Sequence, residues 1–395
     1  MTRATWARRT ALLGVLALTG VVAAACGGSS SASSASDCPH VAIGFMGPLT
    51  GGDGALGRFS RNGAEVAVRE YDAQHPGCQV GLVSFDSQGN ADYAVNLADQ
   101  IVADPEIVAL VGPTFSGETA AAMPTFEAAG LPVVTASATN PTLSEQGWKH
   151  FHRIVGNDAT QGPALAAYLD QVLKVKKVAV VDDTGLYGKT IADLTAKSLQ
   201  DKGIEVSLRT SIDPESVDYR NTVTALQGAG VDAVFFGGVT SPGARLVRQI
   251  RDAGITVPFV GGDGLYGGDF IDGAGGAATG ALVSCPCLNA EQPTGARQTA
   301  FANAYRKRYG TTASYFATEY YDAAALVLKA IGDGHTTRSS IQDWLAGVRY
   351  RGVTKNIAFD RHGEIQGSPV FVFRVGADGS YGQVAEVVDG KLTTN

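Results

Sequence analysis

From residue 41 onward, short runs of consecutive apolar residues alternate with glycine-rich turns and with stretches of helical period. The clearest apolar runs are 41–45, 80–85, 107–111, 132–135, 178–181, 204–208, 233–236, 258–260 and 281–283. Runs this short and this continuous predict strands buried on both faces. Between them, Ala64, Val68 and Tyr71, and later Leu165, Tyr168, Leu169 and Val172, recur at the spacing of one helix face. Strand and helix in alternation predict βαβ units with parallel sheets. One sheet of so many strands would be large, so the pattern predicts an α/β fold of two doubly wound parallel-sheet lobes. The segment 151–162 separates two such series. Beyond Cys287 the pattern predicts helices over 297–309 and 318–331, then strands at 357–360 and 370–375. That order suggests that the chain revisits the first lobe and then returns to the second.

The first residues follow a different pattern. Arg3, Arg8 and Arg9 precede a run of small apolar residues from 11 to 25, shorter than a membrane span needs. The run ends in Ala23-Ala24-Ala25-Cys26, which resembles a bacterial lipobox. This predicts a lipoprotein signal peptide over 1–25, with Cys26 as the lipid anchor. Residues 27–36 are only Gly, Ser and Ala, so 26–37 is expected to be a flexible tether that cannot build a core. The expected location is extracytoplasmic, tethered to the outer face of the cell membrane, with the membrane touched through the lipid alone.

Composition narrows the function classes. With 395 residues, the chain is too long for one compact core and suits two domains. The formal net charge is −7, and no basic block exists outside the first nine residues, which argues against nucleic-acid binding. The 50 glycines show no Gly-X-Y period, which excludes collagen. An exported chain permits disulfides. Cys38 and Cys78 each stand just before a predicted strand. If those strands are neighbours in a parallel sheet, a Cys38–Cys78 bond follows, worth ~3–4 kcal/mol for a loop of this size. Cys285 and Cys287 form a C-x-C that is either a local disulfide or two thiols. No metal site and no cofactor are expected.

Two enzyme patterns fail on inspection. Gly52-Asp53-Gly54-Ala55-Leu56-Gly57 matches GxGxxG, but its first glycine comes six residues after Met46, too far for a nucleotide-binding turn. No GxSxG elbow is present, and the six histidines pair with no serine motif. Catalysis is not expected.

The ordered segments VAIGFMGPLTGGDGALG (41–57), VGPTFSGETAAAMP (111–124), GLPVVTASATNP (130–141), FHRIVGNDATQGPALAAYL (151–169), VAVVDDTGLYGK (178–189) and FVGGDG (259–264) carry a resemblance. Together they resemble the leucine/isoleucine/valine-type periplasmic binding proteins, the extracellular receptors of ABC importers, over nearly all of 41–375. The resemblance implies a type I periplasmic-binding-protein fold with three crossing segments. Lobe one would comprise 38–156 and 286–368, and lobe two 157–285 and 369–395. It implies a monomer that binds a small amino acid, branched-chain or an analogue, in the interlobe cleft and delivers it to a permease and its ATPase. A ligand sensor of the same fold, not coupled to transport, is the alternative.

The implied site follows residue by residue. Ser116, read as the N-cap of the helix after strand 107–111, and Thr139 would donate to the ligand carboxylate. The Ser137 carbonyl and Asp263, in Gly261-Gly262-Asp263-Gly264, would receive the ammonium. Tyr187 would close from the second lobe. Leu56 and Val239-Thr240 stand where close relatives often carry aromatics, so the head-group clamp looks retained while the side-chain pocket differs. Tyr266 is a candidate to replace a lost aromatic.

Overall fold

A computed structural model describes residues 40–394. The predicted signal peptide, the tether, Cys26 and Cys38 lie outside the described residues. The first sheet has five parallel strands: β1 (Ala42–Gly47), β2 (Gly81–Asp86), β3 (Ile107–Val111), β4 (Val133–Thr135) and β5 (Phe151–Arg153). Their spatial order is β2-β1-β3-β4-β5. Between them run α1 (Gly54–Gln74), α2 (Ala91–Ala103) and α3 (Ser116–Ala128). The apolar run of β3 is buried along its whole length, as a central parallel strand requires. Asn90 begins α2 by accepting the N–H groups of Asp92 and Tyr93 on its side chain.

The second sheet opens with β6 (Lys177–Asp182), β7 (Glu205–Ser211), β8 (Ala233–Gly237), β9 (Phe259–Gly261) and β10 (Leu282–Cys285), all parallel. Its helices are α4 (Asp158–Gln171), α5 (Leu186–Asp201), α6 (Arg220–Ala229), α7 (Thr240–Asp252) and α8 (Gly268–Ala274). Leu246, Val247 and Ile250 bury one face of α7 at helical spacing. The chain then forms α9 (Ala296–Tyr309), α10 (Ala317–Gly332) and α11 (Arg338–Ala346), which pack beside the first sheet, with α10 against α1 and α11 against β3. A small hairpin of β11 (Tyr350–Arg351) and β12 (Asn356–Ile357) follows. Finally β13 (Val370–Val375), β14 (Tyr381–Val388) and β15 (Lys391–Thr394) rejoin the second sheet antiparallel, in the order β15-β14-β13-β10-β9-β8-β6-β7.

The chain thus passes between the two sheets three times: after β5, after β10 and before β13. Side-chain hydrogen bonds tie these passages together. Lys355 Nζ donates to the Ile154 carbonyl at 3.2 Å and to Ser368 Oγ at 3.3 Å, and Ser368 Oγ also accepts the Gly156 N–H. Glu319 Oε1 accepts the Leu288 N–H at 2.8 Å. Cys285 and Cys287 are joined in a disulfide within the second passage. Cys78 is disulfide-bonded as well.

Several details differ from expectation. The segment 151–162 holds β5 and the start of α4, so it carries paired structure within the passage. Of the strand predicted at 357–360, only Ile357 belongs to a strand, as the second residue of β12. The α11 helix and the β14–β15 hairpin were not predicted. Among the described residues, no helix is long and apolar enough to cross a membrane.

Candidate functional site

The carboxyl ends of the parallel strands and the N-termini of their helices surround a cavity of about 480 Å³. This is where open α/β sheets hold ligands. Its lining comes from both halves: Asp53, Leu56, Phe115, Ser116, Ser137 and Phe316 on one side, and Asp183, Tyr187, Val239, Arg245 and Asp263 on the other. Four of the five expected ligand residues, Ser116, Ser137, Tyr187 and Asp263, are therefore brought together.

Ser116 is the first residue of α3, and Phe115 takes the N-cap position assigned to it from sequence. The cap is made differently: Glu118 turns back and its carboxylate accepts the Phe115 N–H at 3.0 Å. Ser116 is consequently free of capping. Its Oγ accepts the Asn140 N–H at 3.1 Å, which leaves the hydroxyl proton available at the cavity wall. Glu118 is buried and hydrogen-bonded to Ser87 Oγ, and burial pushes its carboxyl up to about 7.

Ser137 follows β4. Its hydroxyl donates to the Thr114 carbonyl at 2.7 Å and shares a 2.9 Å hydrogen bond with Tyr320 OH. The side chain is thereby fixed by protein partners, and Ser137 lines the cavity. Thr139 departs from the expected arrangement, because it is fully buried and does not line the cavity. Its carbonyl accepts the Asp158 N–H at 2.9 Å, and its side chain acts on the Asp158 carboxyl rather than on the cavity.

On the opposite wall, Tyr187 stands in the first turn of α5, and Asp263 follows β9. Tyr187 OH donates to Asp263 Oδ1 at 2.8 Å and accepts the Gly264 N–H at 2.9 Å. A Cβ on Gly264 would sit 2.4 Å from the Gly238 carbonyl and 2.7 Å from the Tyr187 ring, so this close approach requires glycine. Gln161 Nε2 donates to Asp263 Oδ1 at 2.7 Å and to Asp158 Oδ1 at 3.0 Å. Ser284 Oγ donates to Gln161 Oε1 and fixes which way the amide faces. One amide nitrogen thus bridges two buried carboxylates.

The guanidinium nearest Asp158, that of Arg153, is engaged by Glu364 and by the Ala138 and Asn140 carbonyls. Burial pushes the Asp263 carboxyl up to about 6. Burial, followed by the charge of Asp263, holds the Asp158 carboxyl well above the carboxylate range. Like charges in a dry site cannot both ionise without a cation.

Sequence reasoning missed Asp158 and Gln161. Both lie in the stretch taken as a separator. The signal available was an Asp and a Gln three apart at the start of an amphipathic run. It also missed Asp53, Asp183, Arg245, Phe115 and Phe316 on the lining. Asp183 accepts the Gly185 and Val239 N–H groups at 3.0 Å each and shapes the turn into α5. Tyr266 does not replace a lost aromatic. It is buried against Phe373 and Tyr381, away from the cavity. The GxGxxG segment is explained by packing, since a Cβ on Gly57 would lie 1.8 Å from the Pro48 carbonyl. Among the described residues, no cluster of three or more His, Cys, Asp or Glu could hold a metal ion.

The chain matches the family model described as periplasmic binding protein over residues 40–380. The leucine-, isoleucine-, valine-, threonine- and alanine-binding protein of Pseudomonas aeruginosa is 28% identical over 347 residues, covering 87% of this chain and 91% of that protein. The Leu/Ile/Val-binding protein homolog 3 of Brucella melitensis is 34% identical over 246 residues, covering 62% of this chain and 67% of that protein. Among solved structures, the leucine-binding protein LivK of Thermotoga maritima superposes with a TM-score of 0.81 at 26% identity, covering 88% of this chain and 98% of that one. The branched-chain amino acid transporter substrate-binding protein LivJ of Streptococcus pneumoniae, in complex with isoleucine, gives 0.79 at 28% identity, covering 88% and 99%. With its two wound sheets, its three passages and its lined cleft, the chain belongs to the periplasmic binding protein family.

Proposed function

We propose that this protein is the substrate-binding component of an ABC importer and takes an α-amino acid, of the branched-chain group or an analogue, into its cleft. The observation that carries the proposal is the buried Asp263 carboxylate, held by Tyr187 and Gln161 on the cavity wall. That carboxylate receives the ligand ammonium. Ser116 donates its free hydroxyl proton to the carboxylate, beside the N-terminal N–H groups of α3. The Ser137 backbone completes the clamp, and Thr139 supports the turn behind it.

The two lobes, 38–156 with 286–368 and 157–285 with 369–395, close on the ligand about the three passages. Asn140 Nδ2 donates across to the Leu186 carbonyl at 3.2 Å and to Thr190 Oγ1 at 2.8 Å, a pair of contacts that favours the closed form. The closed protein, lipid-anchored through Cys26 outside the cytoplasm, hands its cargo to the permease. A Cys38–Cys78 bond tethers the start of the body to the edge of the first sheet. Calorimetric titration with the common L-amino acids tests the proposal. Binding of at least one, lost in Asp263→Ala, is the expected result. Silence across the panel would overturn it.

A further inference from the structure

The cavity lining also carries polar groups that the clamp does not use. Asp53 reaches it from the residue before α1, and Arg245 from α7 on the opposite side. Each has a buried polar atom with no hydrogen-bond partner, Asp53 Oδ1 and Arg245 Nε, and the Asp53 carboxyl also lies against the Ser241 N–H. The rest of the guanidinium is engaged: Nη1 donates to Ser241 Oγ at 2.8 Å, and Nη2 to the Pro214 carbonyl. Arg245 and Asp53 act on each other electrostatically without forming an ion pair. One acceptor and one donor are therefore left over, one from each side of the cleft.

Ligand chemistries differ sharply against these two groups. A branched aliphatic side chain satisfies neither group once the cleft has excluded water. A carboxylate end meets Asp53, with Asp183 and Glu215 also on the lining. An ammonium end meets the Arg245 guanidinium and offers no acceptor to its Nε–H. A carboxamide presents a carbonyl acceptor and an N–H donor side by side and carries no charge, so it suits both.

We propose that the cleft selects an α-amino acid whose side chain ends in a carboxamide or ureido group, with Asp53 accepting its N–H and Arg245 donating to its carbonyl. This rests on the amino-acid reading of the head-group wall given above, and it takes an analogue rather than a branched-chain amino acid itself as the ligand. It makes Asp53 and Arg245 specificity-determining residues, and it places one on each side of the cleft, so side-chain recognition and closure are a single event.

The test is calorimetric titration of the whole purified chain with L-glutamine, L-asparagine and L-citrulline against L-leucine, L-methionine and L-glutamate. At least one of the first three should bind about tenfold or more tighter than any of the second three, because a site built for hydrogen bonds rejects ligands that lack them. That preference ratio should collapse toward one in Asp53→Ala. It should also collapse in Arg245→Lys, which keeps the charge and removes the Nε–H, with melting curves confirming that both variants fold. Tighter binding of leucine or methionine, or a ratio unchanged in both variants, would overturn the proposal while leaving the head-group clamp standing. Failure of every α-amino acid to bind would overturn the clamp itself and this inference with it.

Discussion

At the scale of single residues, the cleft is governed by two carboxylates that share one amide. Asp263 and Asp158 both hang on Gln161 Nε2, and burial raises both. A raised carboxyl is protonated below its folded value. As pH falls through about 6, Asp263 gains a proton and loses its attraction for an ammonium. Affinity for an α-amino acid should therefore be level above neutrality and fall about tenfold by pH 5, one unit below that value. Titrations from pH 5 to 8 check this, and Asp263→Asn should bind weakly with a flat profile. The same shift acts in the opposite direction on the unliganded fold. Burying an ionised Asp263 is unfavourable, so its contribution to stability is best below the unfolded value of 3.8 and is lost as pH rises to about 6. Truncation by Asp263→Ala should weaken an amino-acid ligand by about 2–5 kcal/mol, as removal of one member of a buried charge pair does. Asp263 was legible in sequence because Gly-Gly-Asp-Gly directly follows an apolar run. Asp158 and Gln161 were not, because nothing local shows that a helix-initiating aspartate will face a second carboxylate more than a hundred residues away. The burial of Thr139 was not legible for the same reason: its side chain lies at the Asp158 carboxyl, further along the chain.

At the scale of elements, alternation of apolar runs with helical stretches was enough to locate the central strands. The expected 107–111 and 370–375 coincide with β3 and β13. Buried parallel strands have no polar face, so their signal is a plain apolar run. The segments that escaped detection are short or half-exposed. β5 has three residues, and β14 alternates buried and partly exposed positions with a register shift against β13. Helix contacts can be tested directly. A Cβ on Gly63 of α1 would lie 1.9 Å from the Ala317 carbonyl at the start of α10. Gly63→Ala should therefore separate α1 from α10 and lower the unfolding free energy by about 1–3 kcal/mol, as overpacking does. Denaturant titration measures it. Lys355 tests the passages between the sheets. Its buried ammonium serves the Ile154 carbonyl and Ser368 Oγ, and it lies in the field of Glu319 and Asp322. Lys355→Met removes both hydrogen bonds and that nearby cation and should lower stability by about 1–3 kcal/mol.

At the scale of the whole molecule, function follows from two sheets that share a cleft but are joined by only three passages. Sequence order predicted that the chain returns to the first sheet before ending on the second, and α10 packs on α1 while β13 pairs with β10. What sequence could not supply is the meeting of faces. The contact of Asn140 with Leu186 and Thr190 joins residues about fifty positions apart on opposite walls, and no periodicity encodes it. If this contact stabilises closure, Asn140→Ala should shift the unliganded protein toward the open form and enlarge its radius of gyration in solution scattering. Saturating ligand should restore the compact value, because a ligand shifts the equilibrium by its preference for the closed state. The central claim, that the cleft reads an α-amino acid through Asp263, is tested most directly by one calorimetric comparison. The tightest-binding L-amino acid is titrated beside the analogue in which a hydroxyl replaces the ammonium. The hydroxy acid should bind at least about a hundredfold more weakly to the native protein, and most of this gap should disappear in Asp263→Ala. Equal binding of the two ligands, or a gap that survives Asp263→Ala intact, would contradict it.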